Sequence, residues 1–294
     1  MNSVNPLNCP ICGFEKCDFK IEKKSFSVYR CRSCFVHFVY PQPVKADVFK
    51  IYDADYFKRG NKYSQLSVAQ EIKREDVINE LRWLRKIKKY KTSGKLLDCG
   101  CATGSFLYAA KQQGFEINGL EISNSAAQSA SRLLNIHVEN CELPQTRHSA
   151  ESLDVVTLWD VIEHLQDPRA VLDKANSLLK PDGIIVFSTG DISSLWARFT
   201  GRYWQLLTPP QHLFFFNPKS IQLLLKLSGF ELVEWHYLSK QVKVEFLIFK
   251  MMEAFGKLGN IAAVFYKISG SKRKYINLNL HDIITCVARK SKKK

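Results

Sequence analysis

The segment Leu96-Leu97-Asp98-Cys99-Gly100-Cys101-Ala102-Thr103-Gly104-Ser105-Phe106 decides the fold. A short apolar strand ends at Asp98, a tight turn of small residues follows, and a helix begins near Ser105. Small residues there let the backbone approach a ligand, and the N–H groups of a helix start favour polar or anionic groups. A Gly-rich turn alone is a weak signal. Glu121 strengthens it. It stands 23 residues after Asp98 at the end of the next apolar run, where an acidic side chain can accept hydrogen bonds from ribose hydroxyls.

Working outward, strand and helix signals alternate. Residues 95–97, 117–120, 136–138, 155–159, 184–188, 230–237 and 283–288 read as strands. Residues 105–113, 124–134 and 168–180 read as helices, and another starts at Asn217 with Pro218 in its first turn and stops at Gly229. This alternation predicts an α/β fold with a mainly parallel sheet covered on both faces.

As a set, the motifs resemble those of class I S-adenosylmethionine-dependent methyltransferases. Asp98-x-Gly100-x-Ala102-x-Gly104 resembles the first motif, with Ala102 where a glycine is commoner. Glu121, in GlyLeuGluIleSer, looks like the ribose-binding acid. Residues 153–168 are similar to the fourth-strand segment, and residues 178–188 to the turn before the fifth strand. The resemblance implies a Rossmann-like class I methyltransferase fold: a mainly parallel seven-stranded sheet with an antiparallel last strand. It implies S-adenosyl-L-methionine as cofactor, held by Asp98, Gly100, Ala102, Gly104, Glu121, Ile122, Glu142 and Asp160. The adenine contact is left open among Asn140, Cys141 and Glu142.

Cys9-Pro-Ile-Cys12 and Cys31-Arg-Ser-Cys34 are two CxxC knuckles separated by 18 residues. That spacing fits a closed, all-cysteine, structural zinc site of ribbon type. Cys17 is a spare, and Cys99, Cys101, Cys141 and Cys286 are expected to pack as small apolar groups. A ribbon followed by PheValTyrProGlnPro looks like the N-terminal part of a methyltransferase subfamily from surface-polysaccharide and secondary-metabolite pathways. It also resembles the ribbon of sugar C-methyltransferases, which carry a further C-terminal domain. The expected organisation is a zinc ribbon over 1–40, an aromatic linker and helix over 41–94, and a cofactor-binding domain over 95–294 with an amphipathic helical insertion at 241–275.

Methyl transfer needs alignment and often a base for the acceptor's proton. Glu163 and His164 follow the fourth strand, and His212 follows the fifth in ProProGlnHisLeuPhePhePhe. The resembling subfamily has a Pro-x-His-aromatic segment there, and histidine titrates near neutrality. Catalytic roles are therefore expected of His212, His164 and Glu163. Asp160, Glu163 and His164 also echo the acidic-acidic-His metal site of ubiquinone-pathway O-methyltransferases.

The 294 residues carry 43 Lys+Arg against 28 Asp+Glu, a net charge of +15, and are 46% hydrophobic and 12% aromatic. A disordered chain is excluded. Nine cysteines, an odd number, argue against a fully paired disulfide framework, and the N-terminus has no apolar signal core. A cytoplasmic setting is the expectation, with peripheral membrane association as the alternative. The apolar stretch 244–268 is interrupted by Glu245, Lys250, Glu253 and Lys257, so it fails as a membrane span. Residues 240–294 hold 13 Lys/Arg and 3 Asp/Glu, and residues 82–95 hold 7 Lys/Arg and no acid. That basic, partly apolar flank suits an anionic or membrane-proximal acceptor, or solubility. The leading expectation is O-methylation of a small-molecule, sugar or lipid-linked acceptor. The alternatives are an RNA methyltransferase, disfavoured because ThrProPro at 208–210 is not an Asn/Asp-Pro-Pro-aromatic motif, and a non-catalytic zinc-ribbon adaptor.

Overall fold

A computed structural model describes residues 7–44, 77–244 and 275–291 of the chain. It opens with a hairpin of β1 (Cys17–Lys23) and β2 (Phe26–Cys31), followed by β3 (His37–Val39). Lys24 and Ser25 join the hairpin with φ of 51° and 64°, the left-handed two-residue turn whose twist suits paired strands.

After α1 (Ile78–Ile87) the expected alternation follows. It runs β4 (Gly94–Cys99), α2 (Ser105–Gln112), β5 (Phe115–Leu120), α3 (Asn124–Leu134), β6 (Leu153–Trp159), α4 (Pro168–Leu178) and β7 (Leu179–Gly190). Then come α5 (Leu195–Thr200), β8 (Phe214–Phe215), α6 (Pro218–Leu227), β9 (Phe230–Tyr237), β10 (Lys240–Lys243), β11 (Tyr275–Leu278) and β12 (Ile283–Lys290).

The main sheet has six strands in the order β5-β4-β6-β7-β12-β9. β4 to β7 pair in parallel, and β12 runs antiparallel between β7 and β9. The apolar runs of its inner strands divide by the two-residue period of a strand. Leu96, Val155, Ile184, Val186 and Val287 face a core closed by Leu84 and Ile87 of α1, Leu107 and Ala110 of α2, and Ala130 and Leu134 of α3. Leu97, Val156, Ile185 and Phe187 face the other core, closed by Leu172 and Ala175 of α4 and Leu224 and Leu225 of α6. Both faces are buried, as continuous apolar strands require.

Two expectations need correction. Residues 136–138 do not form a seventh strand; a single parallel bridge joins Leu120 to Glu139. The backbone N–H groups of Ile136 and Val138 are bound to Ser131 of α3, by its carbonyl and its hydroxyl, so they cannot enter a ladder. The helix expected to reach residue 180 ends at Leu178, because Leu179 already pairs with Leu153 of β6. The ladder slips there and resumes at Ile184.

The first three strands share a second sheet with β8, in the order β1-β2-β3-β8. His37 pairs with Phe215 and Phe38 with Phe214. Asn217, which caps α6, also donates its side-chain amide to the Phe35 carbonyl at 2.8 Å. The cysteine-bearing segment is therefore stitched to the loop that follows β7. β10 pairs with β11 antiparallel, so the two ends of the intervening stretch come together. Most of the amphipathic stretch 241–275 and of the aromatic linker 41–94 lies outside the described residues. Among the described residues, no helix is long and apolar enough to cross a membrane.

Candidate active site

The turn after β4 takes its shape from a left-handed backbone at every second residue. Gly100, Ala102 and Gly104 have φ of 75°, 50° and 90°. Gly100 is required twice over, since a Cβ there would also stand 2.7 Å from Cγ2 of Val161. The N–H groups of Gly100 and Cys101 both donate to the Leu120 carbonyl, at 2.8 and 3.0 Å, and that of Gly104 donates to Cys101. These groups hold the turn itself. The N–H groups of the first turn of α2 have no intrahelical acceptor.

Glu121 locks the turn to the end of β5. One carboxylate oxygen accepts from Ala102 N at 2.9 Å and the other from Ser123 N at 2.8 Å. The Ile122 N–H adds a third backbone donor to the same carboxylate. Burial raises the Glu121 pKa, against the pull of these backbone donors. Asp98, at the end of the neighbouring strand, is 2% exposed and accepts from the Thr157 hydroxyl at 2.6 Å. Burial pushes its pKa up to about 8, with Thr157 opposing and the nearby Glu121 adding. Ile122 beside them is 36% exposed, an apolar surface a flat ring can lie against. A buried acid pair, an exposed apolar shelf and a helix start fit a nucleoside carrying an amino-acid chain.

The open adenine contact gains detail. The Asn140 side-chain amide donates to the Glu121 and Ile122 carbonyls, at 2.8 and 2.9 Å, and so clamps the strand end. The Cys141 thiol donates to Glu139 at 3.7 Å. Glu142 caps a 3-10 turn over Leu143–Gln145. Sequence reading missed Glu139, which gathers the Thr146 hydroxyl, the Arg147 N–H and His148 around one carboxylate. It also missed an aromatic wall beside α2: Trp83 of α1 stacks on Trp159 of β6 at 4.5 Å, with Phe106 edge-on to Trp159.

On the other side of β6, Glu163, His164 and His212 bring their ligand atoms within 4.8 Å of one another. Glu163 is buried and both histidines are half-buried. His164 Nδ1 lies 2.7 Å from the Gln211 carbonyl, and His212 Nδ1 lies 2.7 Å from the Leu206 carbonyl. A carbonyl only accepts, so each Nδ1 carries a proton. The loop is pinned where these rings meet, because Leu213 N donates to the Glu163 carbonyl at 2.8 Å. Asp160 sits apart from this group. Its backbone φ is 54°, and its carboxylate accepts from the Ser188 hydroxyl of β7 at 2.7 Å. The three residues that converge are therefore Glu163, His164 and His212, not Asp160, Glu163 and His164.

The four knuckle cysteines also converge. Cys9 and Cys34 have their sulfurs 3.6 Å apart, as do Cys12 and Cys31, and all four lie within 4.8 Å of one another. A tetrahedron of sulfurs at 2.3 Å from zinc has edges of about 3.8 Å, so the donor set has the size a zinc ion needs. Ser33 N donates to the Cys31 sulfur at 3.3 Å, a contact that orients a ligating thiolate. Cys17 is outside the group. Cys99, Cys101 and Cys286 are buried, as expected of small apolar packers, while Cys141 is only half-buried.

Comparison with known proteins agrees with this architecture. A family model described as a methyltransferase domain matches residues 71–235. The ubiquinone biosynthesis O-methyltransferase of Haemophilus ducreyi is 35% identical over 105 residues, covering 32% of this chain and 44% of that protein. The enzyme of the same name from Bordetella avium is 30% identical over 128 residues, covering 40% and 53%. The chain thus spans about half the length of the curated relatives it matches. Among solved structures, a SAM-dependent methyltransferase from Archaeoglobus fulgidus superposes with a TM-score of 0.53 at 20% identity, covering 80% of this chain and 99% of that one. Magnesium protoporphyrin IX methyltransferase from Synechocystis, with bound SAH, gives 0.53 at 15% identity, covering 84% and 100%. With the sheet order, the acid-locked turn after β4 and the match over 71–235 in agreement, the chain belongs to the methyltransferase-domain family.

Proposed function

We propose that this protein transfers the methyl group of S-adenosylmethionine to an oxygen of a small-molecule, sugar or lipid-linked acceptor, with His212 as the base. The observation that carries the reading is the orientation of His212. Its Nδ1 donates to the Leu206 carbonyl, which fixes the ring beside Glu163 and His164, and Nε2 is assigned as the proton acceptor. The names of the relatives, O-methyltransferases of ubiquinone biosynthesis, support oxygen as the methylated atom.

The cofactor supplies an electrophilic methyl group on a sulfonium. Glu121 receives the ribose hydroxyls and Ile122 the adenine face, while Asp98 and the turn through Gly100, Ala102 and Gly104 shape the floor. Glu142 stands next to the adenine position. His212 removes the acceptor's proton as the new bond forms, and His164 and Glu163 hold the ring and favour its protonated form. Cys9, Cys12, Cys31 and Cys34 hold a structural zinc ion, which sets β3 and through it the loop carrying His212.

The convergence of Glu163, His164 and His212 also favours a second reading, in which these three bind a divalent cation that orients the acceptor oxygen. Titration calorimetry with S-adenosylmethionine, followed by a screen of metabolites with the labelled cofactor before and after chelation, tests both. Absence of cofactor binding would sink the proposal. Because a chelator also empties the four-cysteine site, turnover restored by zinc at one equivalent favours the base, and turnover that returns only with a further divalent ion favours the cation.

A further inference from the structure

Leu195, Phe199 and Tyr203 are the most exposed large apolar side chains among the described residues, at 81%, 84% and 82%. They recur at a spacing of four. Leu195 and Phe199 share one face of α5, and Tyr203 closes the 3-10 turn Gly201–Tyr203 that follows. This element is not a frayed end. The Ser194 hydroxyl caps α5 through Ala197 N, at 3.0 Å. Trp196 donates to Gln205 at 3.0 Å, and the buried Trp204 donates to Asp282 at 2.9 Å. The opposite face is anchored, and the apolar face is held out to water.

Arg198 and Arg202 belong to the same stretch, and residues 192–204 contain no acid. The Arg202 guanidinium lies 5.9 Å from the centre of the Tyr203 ring. Lys23, at the end of β1, donates to the Arg202 carbonyl at 2.8 Å. Its pKa is lowered by burial and then by its neighbours Lys24 and Arg202, both cations. An apolar and aromatic face rimmed by Lys and Arg is the composition of an interfacial membrane anchor. The cations select the occupant: an apolar protein partner does not call for them, whereas anionic headgroups do.

We propose that Leu195, Phe199 and Tyr203, with Arg198, Arg202 and Lys23 at their rim, dock this protein onto an anionic lipid surface. The knob follows the carboxyl end of β7, and the Leu206 carbonyl that orients His212 lies three residues past Tyr203. Docking there places the candidate site at the lipid boundary. The inference concerns where the protein sits and stands apart from the methyl-transfer reading.

Sedimentation of the full chain with vesicles of phosphatidylcholine, with and without phosphatidylglycerol, tests it. Binding is expected to be at least about tenfold tighter on the anionic vesicles and to weaken with salt. Leu195→Ser with Phe199→Ser is expected to lower it by about tenfold or more while cofactor affinity stays unchanged. Arg198→Gln with Arg202→Gln is expected to remove most of the preference for phosphatidylglycerol. Wild-type protein that ignores anionic vesicles, or a serine pair that binds like wild type, overturns the proposal. So does self-association without vesicles that the serine pair abolishes, because a second copy then covers the face.

Discussion

The rings of His164 and His212 meet edge to face, with centroids 4.6 Å apart and planes at 81°. They come from loops after two different strands of the sheet, β6 and β7. Each is fixed at Nδ1 by a backbone carbonyl of the second loop, so the two rings are positioned by one short stretch, 206–211.

His212→Ala is therefore expected to lower turnover by about 100-fold or more, the usual contribution of a positioned base, while leaving cofactor affinity intact. Steady-state kinetics and calorimetry on the same preparation check this, and unchanged turnover would remove His212 from the mechanism. His164→Ala should give a smaller loss, because its ring supports His212 from the side.

Zinc removal should reach the same ring. β3 pairs with β8, and His212 lies two residues before β8. Chelation, or Cys34→Ser, is expected to disorder the ribbon and reduce turnover severely while S-adenosylmethionine still binds at β4 and β5. Amide exchange resolved by segment would show protection lost at 213–216 along with the ribbon. Protection retained there would mean that the loop stands without it.

Glu121→Ala removes the acceptor of two backbone donors and the proposed ribose contact together. Hydrogen bonds to a charged group contribute about 1.5–3 kcal/mol each, so cofactor affinity should fall by at least about tenfold. Calorimetry that returned the wild-type affinity would place the ribose elsewhere.

Asp98 predicts a pH dependence in the cofactor-free protein. Its folded pKa of about 8 lies above the ordinary carboxylate value of 3.8, so between these limits the folded state holds a proton that the unfolded state has lost. Stability is thus highest at the acidic end of this window and declines as pH rises towards 8. Glu121, also raised by burial, acts in the same direction. Thermal unfolding should show a higher Tm at pH 6 than at pH 8, with Asp98→Asn flattening the difference. A slope unchanged in that variant would assign the effect to other groups.

The turn offers a paired test of backbone strain. Gly100→Ala places a Cβ against Val161 at positive φ and should destabilise by about 2 kcal/mol, from left-handed backbone cost and overpacking combined. Ala102→Gly, at φ 50°, relieves the first cost alone and should be neutral or stabilising. Denaturant midpoints of the two variants check the sign.

Much of this was legible in the sequence because it rests on local rules. Apolar runs of strand length, Gly turns, an N-cap at Asn217 and two CxxC knuckles each act within a few residues, and each stands where its spacing pointed. The strand expected at 136–138 failed because a competing local interaction, Ser131 holding the N–H groups of Ile136 and Val138, outweighed the apolar pattern. The amino-acid sequence by itself determined the alternating fold, the Gly turn with an acid at the end of the next strand, and the four-cysteine cluster. Only the tertiary structure decided that His212, and not Asp160, joins Glu163 and His164, and that the ribbon shares a sheet with the loop bearing His212. Those two outcomes depend on pairings between residues from about 50 to 180 positions apart, where backbone hydrogen bonds and packing across the sheet choose the partners and no periodicity along the chain encodes them.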